Sequence, residues 1–153
     1  MNLPEESDLQ LLSKIVPSVP YNEIQIGDCR SMTKTITNED IIAFAKLTGD
    51  VNPIHLDEEY AQKTRFKERI AHGLLTTSYI STVIGTKLPG KGTIYLSQYV
   101  RFKAPVKIGD TLTITGKVIN KQDDKKLITL ETNVINQHHQ LVIEGQAVIM
   151  KMD

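Results

Sequence analysis

A single cysteine, Cys29, occurs in the 153 residues. One thiol cannot form an internal disulfide, which fits a reducing compartment, and Cys29 is expected to be a half-buried packing residue. Excess charge of either sign is also missing, since 18 Lys and Arg balance 18 Asp and Glu. A nucleic-acid backbone requires a basic face, so nucleic acid is excluded as a partner. Only a small local patch for a phosphorylated cofactor is compatible with this balance. No window approaches the roughly 18 apolar residues that a membrane span needs. The opening "MNLPEESDLQLLSKIVPSVP" has neither a basic leader region nor a long apolar core. No secretory signal is therefore expected, and the chain reads as soluble and cytoplasmic. Repeats, low-complexity tracts and metal-ligand spacings are absent too, so no metal is expected.

What remains is ordinary globular material, 40% hydrophobic and 24% charged, of a length suited to one domain. Residues 1–20 read as an N-terminal extension ahead of a domain over 21–153. In the extension, "SDLQ" at 7–10 has the form of a capping box. Leu9, Leu12, Ile15 and Val16 then recur at helical spacing until Pro17 and Pro20 stop the helix. Next, "IGDCRSMTKTIT" (26–37) is rich in β-branched residues and reads as a strand. Thr37 and Asp40 form a second capping box opening "NEDIIAFAKLTG", whose apolar face is Ile41, Ile42, Phe44, Ala45 and Leu47. Gly49 is its expected stop. A short helix is expected near 57–63. The stretch "AHGLLTTSYISTVIGTKLPG" (71–90) is the most apolar helix candidate. From Thr93 onward four β-rich runs follow, separated by "KIGD", "KQDDK" and "QHH". This order predicts an α+β fold, with an antiparallel sheet packed against helices. Wrapping a curved sheet around the long apolar helix buries both, and the remaining edges make dimerisation attractive.

The segment "LTGDVNPIHLDEEYA" (47–61) carries the most chemical information. Asp50 and His55 stand five residues apart in a turn that Pro53 stiffens, so their side chains can converge on one small volume. Together a carboxylate and an imidazole can bind one water, take its proton and return a proton to a substrate. Asn52 is a turn-stabilising residue whose amide can orient either partner. Gly73, at the start of the apolar helix, offers a main-chain N–H that no helical carbonyl satisfies, and its missing side chain lets a substrate oxygen approach. Gly73, Thr77, Ser81 and Ile84 fall on one helical stripe, the expected wall of a pocket that begins at this N–H.

These residues resemble a known family. "LTGDVNPIH" with "LDEEYA", "IAHGLLTTSYIS" and "LPGKGTIYLSQYVRFKAPVKIGDTL" are similar to the MaoC-like (R)-specific enoyl-CoA hydratases, or hydratase 2. The resemblance runs from about residue 24 to 150 and includes the small residue Ala61 six positions after His55. It implies the hot-dog fold and a homodimer joined through its sheets. It further implies Asp50 and His55 as the catalytic pair and Gly73 as amide donor to a thioester carbonyl. By the same resemblance Ser81 and Phe102 would line the substrate pocket, and Asn52 and Ile84 are added as candidate substrate-binding residues from the turn and the helical stripe. An acyl-CoA thioester is the implied substrate, with CoA as part of it and no separate cofactor. The same chemistry on an acyl-carrier-protein thioester, a hot-dog thioesterase and a non-catalytic acyl-CoA-binding protein are the competing readings.

Overall fold

The computed structural model describes residues 4–153. Helix α1 (Glu6–Lys14) leads into β1 (Cys29–Thr35), α2 (Asn38–Thr48), α3 (Pro53–Leu56), α4 (Glu58–Gln62) and α5 (Gly73–Thr86). Four strands complete the chain: β2 (Thr93–Phe102), β3 (Thr111–Gln122), β4 (Leu127–Ile135) and β5 (Leu141–Lys151). All five strands form one antiparallel sheet in the order β1-β3-β4-β5-β2. The first two strands therefore lie on opposite edges. The connection between them must cross the whole sheet, and it carries α5 over one face.

That face is apolar by period-two alternation. Leu112, Ile114 and Val118 of β3, Ile128, Leu130 and Val134 of β4, and Ile143, Ala147 and Ile149 of β5 are buried. Opposite them α5 buries Leu75, Thr76, Ile80, Val83 and Ile84 at helical spacing. Each fully buried aliphatic side chain contributes about 1.5–3 kcal/mol relative to exposure. The long helix in a curved sheet is the architecture that the sequence predicts.

Local signals near the site held. Thr37 and Asp40 form the reciprocal capping box, and α2 stops at Gly49, whose φ of 79° is left-handed. Others did not. Ser7 does not cap α1. The N-cap is Glu5, without a side-chain bond, and α1 buries none of its residues. Leu9, Leu12 and Ile15 all face solvent, because no second element covers the helix. Leu47 is 85% exposed rather than part of the apolar face. It falls a quarter-turn or more from Ile41 and Ala45, which meet the core. Cys29 is exposed, since it begins the edge strand β1.

Candidate active site

Three chain segments meet at the N-terminal end of α5. The first is the turn after α2. Asp50 N–H donates to Thr48 Oγ1 at 3.2 Å, and Asp50 Oδ1 accepts from Asn52 N–H at 3.2 Å. Asn52 Oδ1 in turn accepts from Ile54 N–H at 3.3 Å, capping α3 with Pro53 at its first position. Asn52 is thus engaged in holding the turn and is itself exposed.

The second segment is α3, which carries His55. Its Nδ1 lies 2.8 Å from the carbonyl of Ile70. A carbonyl only accepts, so the Nδ1 proton is committed there and the neutral ring turns a bare Nε2 lone pair outward. Arg69 fixes the backbone of the same residue, with Nε donating to the His55 carbonyl at 2.7 Å and Nη2 to Asn38 Oδ1 at 2.9 Å. Burial pulls His55 below its ordinary value, which favours the unprotonated ring. The Ile70 carbonyl opposes this, His72 adds to it, and Asp50 opposes it.

The third segment is the start of α5. The carboxylate of Asp50 and the ring nitrogens of His55 and His72 all lie within 4.8 Å of one another. A single water hydrogen-bonded to both Asp50 and His55 at about 2.8 Å can bridge such a gap. The three could in principle hold a metal, but the His55 and His72 rings are stacked, with centroids 3.9 Å apart and planes 29° apart. Lone pairs in nearly parallel planes do not converge on one ion, so the set fits a metal poorly.

Gly73 is the first residue of α5, and its N–H is one of the amides without a helical acceptor. A Cβ at this position would fall 2.7 Å from Cε1 and Cζ of Phe102, so only glycine fits with the ring in place. Gly73, His55 and Phe102 share a cavity of about 330 Å³, within the usual range for small-molecule sites. Ile70, Val106, Val142 and Ile143 give it an apolar interior, while Arg65 and Lys103 also line it.

His55, Gly73 and Phe102 line one cavity, and Asp50 lies within 4.8 Å of a His55 ring nitrogen but is exposed and not among the lining residues. Ser81 and Ile84 are not among the residues that line this cavity. Ile84 is fully buried in the core under the sheet, and Ser81 faces solvent. The cavity meets only the first turn of α5, beyond which the helix packs on β-strands. Thr77 uses its hydroxyl on the Gly73 carbonyl at 2.8 Å. Thr76 lines the cavity instead, with a buried Oγ1 that has no hydrogen-bond partner among the described residues. Sequence reading passed over Thr76 and Arg65, because neither stands at a spacing that separates it from ordinary surface or core residues.

A helix cradled by a five-stranded antiparallel sheet defines a hot-dog protein, here with a carboxylate and an imidazole beside the helix mouth. The chain belongs to the MaoC-like domain family, whose sequence profile, described as "MaoC like domain", matches residues 25–140. An (R)-specific enoyl-CoA hydratase of Rhodospirillum rubrum is 48% identical over 130 residues, 85% of this chain and 90% of that protein. Among solved structures, the unliganded R-hydratase PhaJ1 from Pseudomonas aeruginosa superposes with a TM-score of 0.84 at 45% identity, covering 89% of this chain and 87% of that one. The (R)-hydratase from A. caviae involved in PHA biosynthesis gives 0.81 at 38% identity, covering 84% and 97%.

Proposed function

We propose that this chain is an (R)-specific enoyl-CoA hydratase, adding water to a trans-2-enoyl-CoA to give the (R)-3-hydroxyacyl-CoA and catalysing the reverse dehydration. The observation that carries this reading is the approach of Asp50 to His55, which lines one apolar cavity together with Gly73. Identity to a hydratase over most of both chains supports it.

The reaction follows from the parts. The thioester carbonyl points at the Gly73 N–H, and the acyl chain occupies the apolar cavity. One water sits between the Asp50 carboxylate and His55 Nε2. As its oxygen bonds to the β-carbon, Nε2 takes one water proton, and the alkene electrons move toward the thioester oxygen. The Gly73 amide stabilises that developing charge. The proton on Nε2 then passes to the α-carbon on the same face, so one water supplies both new groups. Asp50 accepts a hydrogen bond from the second O–H, whose hydrogen stays on the oxygen as the product hydroxyl, and so orients the nucleophile. No group beyond the CoA of the substrate takes part. Arg65 and Lys103 at the cavity are suited to the anionic handle of the thioester.

The test is hydration of crotonyl-CoA by the purified protein, with the product's configuration determined. Asp50→Asn and His55→Gln each lower turnover about 10²–10⁴-fold, the size of an acid–base contribution. Undiminished turnover in both, or an (S) product, ends the reading. Parallel rates on carrier-protein thioesters separate the dehydratase of fatty-acid synthesis from a CoA enzyme.

The assembly proposed with this function is a homodimer through β2. This edge strand exposes Ile94, Tyr95, Leu96 and Tyr99, whereas the opposite edge, β1, carries Arg30 and Lys34. Tyr99→Lys yields a smaller species in light scattering, and an unchanged mass excludes this edge. A cytoplasmic location belongs to the same reading, supported by the exposed free thiol of Cys29. No helix among the described residues is long and apolar enough to cross a membrane.

A further inference from the structure

We infer that His72 is the positioning residue of the acid–base pair, holding Asp50 and His55 in register with the amide that receives the thioester carbonyl. The inference deepens the proposed hydratase reading and rests on it for the roles of Asp50, His55 and Gly73.

His72 is 2% exposed, yet it does none of the tasks that usually account for a buried histidine. It occupies the N-cap of α5 but makes no side-chain capping bond. Its Nε2 lies 3.0 Å from the main-chain carbonyl of Asp50, 22 residues earlier. As that carbonyl can only accept, the Nε2 proton is spent on the turn that presents the Asp50 carboxylate. One face of the ring stacks on His55 at 3.9 Å. Phe44 of α2 also packs against the ring, with centroids 4.8 Å apart and planes tilted by 56°. Nδ1 is buried and has no hydrogen-bond partner among the described residues. A polar ring is thus kept inside the protein for a single hydrogen bond and a single stacking contact, and both go to the pair.

The need for such a residue follows from where the reacting groups come from. Asp50 belongs to the turn after α2, His55 to α3 and Gly73 to α5. Asp50 is exposed, and the turn's other bonds to it are local, to Thr48 and Asn52. Local bonds shape a turn but do not fix its distance from a helix 20 residues away. His72 bonds the Asp50 main chain, lies flat on the His55 ring, and is joined by one peptide bond to Gly73. Water, base and oxyanion donor are thereby referred to one side chain. Catalysis is steep in such distances, and a misplacement of about 1 Å can cost on the order of 10²-fold in rate.

Two substitutions separate the hydrogen bond from the stack. His72→Phe keeps an aromatic ring between Phe44 and His55 and removes the donor. His72→Gln restores an N–H near the position of Nε2 and removes the ring. Steady-state hydration of crotonyl-CoA should show kcat falling about 10- to 100-fold in His72→Phe with KM nearly unchanged, the size seen when groups that orient a reacting residue are lost. His72→Gln should recover much of that loss. The titration of the His55 ring, followed by NMR in each variant, is a readout independent of turnover. Its midpoint should rise in both variants, since each removes the His72 ring that helps hold it down.

Parental kcat in His72→Phe with an unmoved His55 midpoint overturns the inference, as does a glutamine variant no better than the phenylalanine one. A rise in KM with unchanged kcat also overturns it, since that would make His72 a binding residue. If both variants fail to fold, His72 serves the fold alone and the inference is wrong. Should the parent protein turn over no enoyl-CoA while the His55 midpoint responds as described, the hydratase reading fails and the geometric role of His72 stands.

Discussion

Replacing Gly73 with alanine puts one methyl group where the structure has room only for hydrogen. The new Cβ would lie 2.7 Å from two ring carbons of Phe102 and 3.1 Å from a third. Carbon atoms rest at about 3.5–4.0 Å, so the ring must retreat by roughly 1 Å. Phe102 is 52% exposed and can swing, so the clash is relieved without unfolding. Alanine is also favoured over glycine within helices by up to about 1 kcal/mol, which offsets part of the strain. Stability should therefore change little, and the cavity should change a great deal. The methyl and the displaced ring both crowd the approach to the Gly73 N–H. Loss of one such donor is worth about 10²–10³ in kcat, or 2.7–4 kcal/mol. The assay is the disappearance of enoyl-thioester absorbance by Gly73→Ala, with thermal denaturation as the control for folding. Adding Phe102→Ala to the variant relieves the clash and should return part of the rate. A folded Gly73→Ala protein within about twofold of the parental kcat/KM would refute the claim that this amide receives the thioester oxygen.

Acid should inactivate the enzyme through His55. Its folded value is lowered by burial, so the acid limb of kcat/KM has its midpoint below about 6.5, and a midpoint at or above that value contradicts the assignment of Nε2 as base. The same shift has a stability consequence of fixed sign. The unfolded chain takes up the His55 proton first, so the contribution is present above about 6.5 and is lost as pH falls through the folded value, measurable by denaturant titration. Two apolar residues should separate cleanly in denaturation: Ile84→Ala, at 0% exposure, costs about 2–5 kcal/mol. Leu47→Ala, at 85% exposure, stays within about 0.5 kcal/mol. Similar losses at the two positions would mean that α2 packs differently.

Local chemistry was legible in the sequence because its causes lie within a few residues. The Thr37 and Asp40 capping box, the left-handed Gly49 and the Asn52-Pro53 turn each need neighbours no more than four positions away. The four β-rich runs after Thr93 were readable too, and in β3 and β4 the structure buries every second side chain over much of their length. The pairing of Asp50 with His55 was readable for the same reason, since one turn holds both. The failures share a different origin. Leu9, Leu12 and Leu47 carry helical apolar spacing but meet nothing, and spacing cannot say whether a partner surface exists. Ser81 and Ile84 share a stripe with Gly73, yet the cavity ends at the first turn of α5, where strands β2 and β5 decide its walls.

By itself, then, the chain determined its elements, its sheet face and the residues able to move a proton, since these follow from periodicity and from bonds between near neighbours. Only tertiary structure decided how far apart those residues stand. It laid α5 across the sheet from edge to edge, brought Phe102 against Gly73, and folded His72 beneath a turn 22 residues away. Distances of that kind depend on packing between segments remote in sequence, and no local pattern records them.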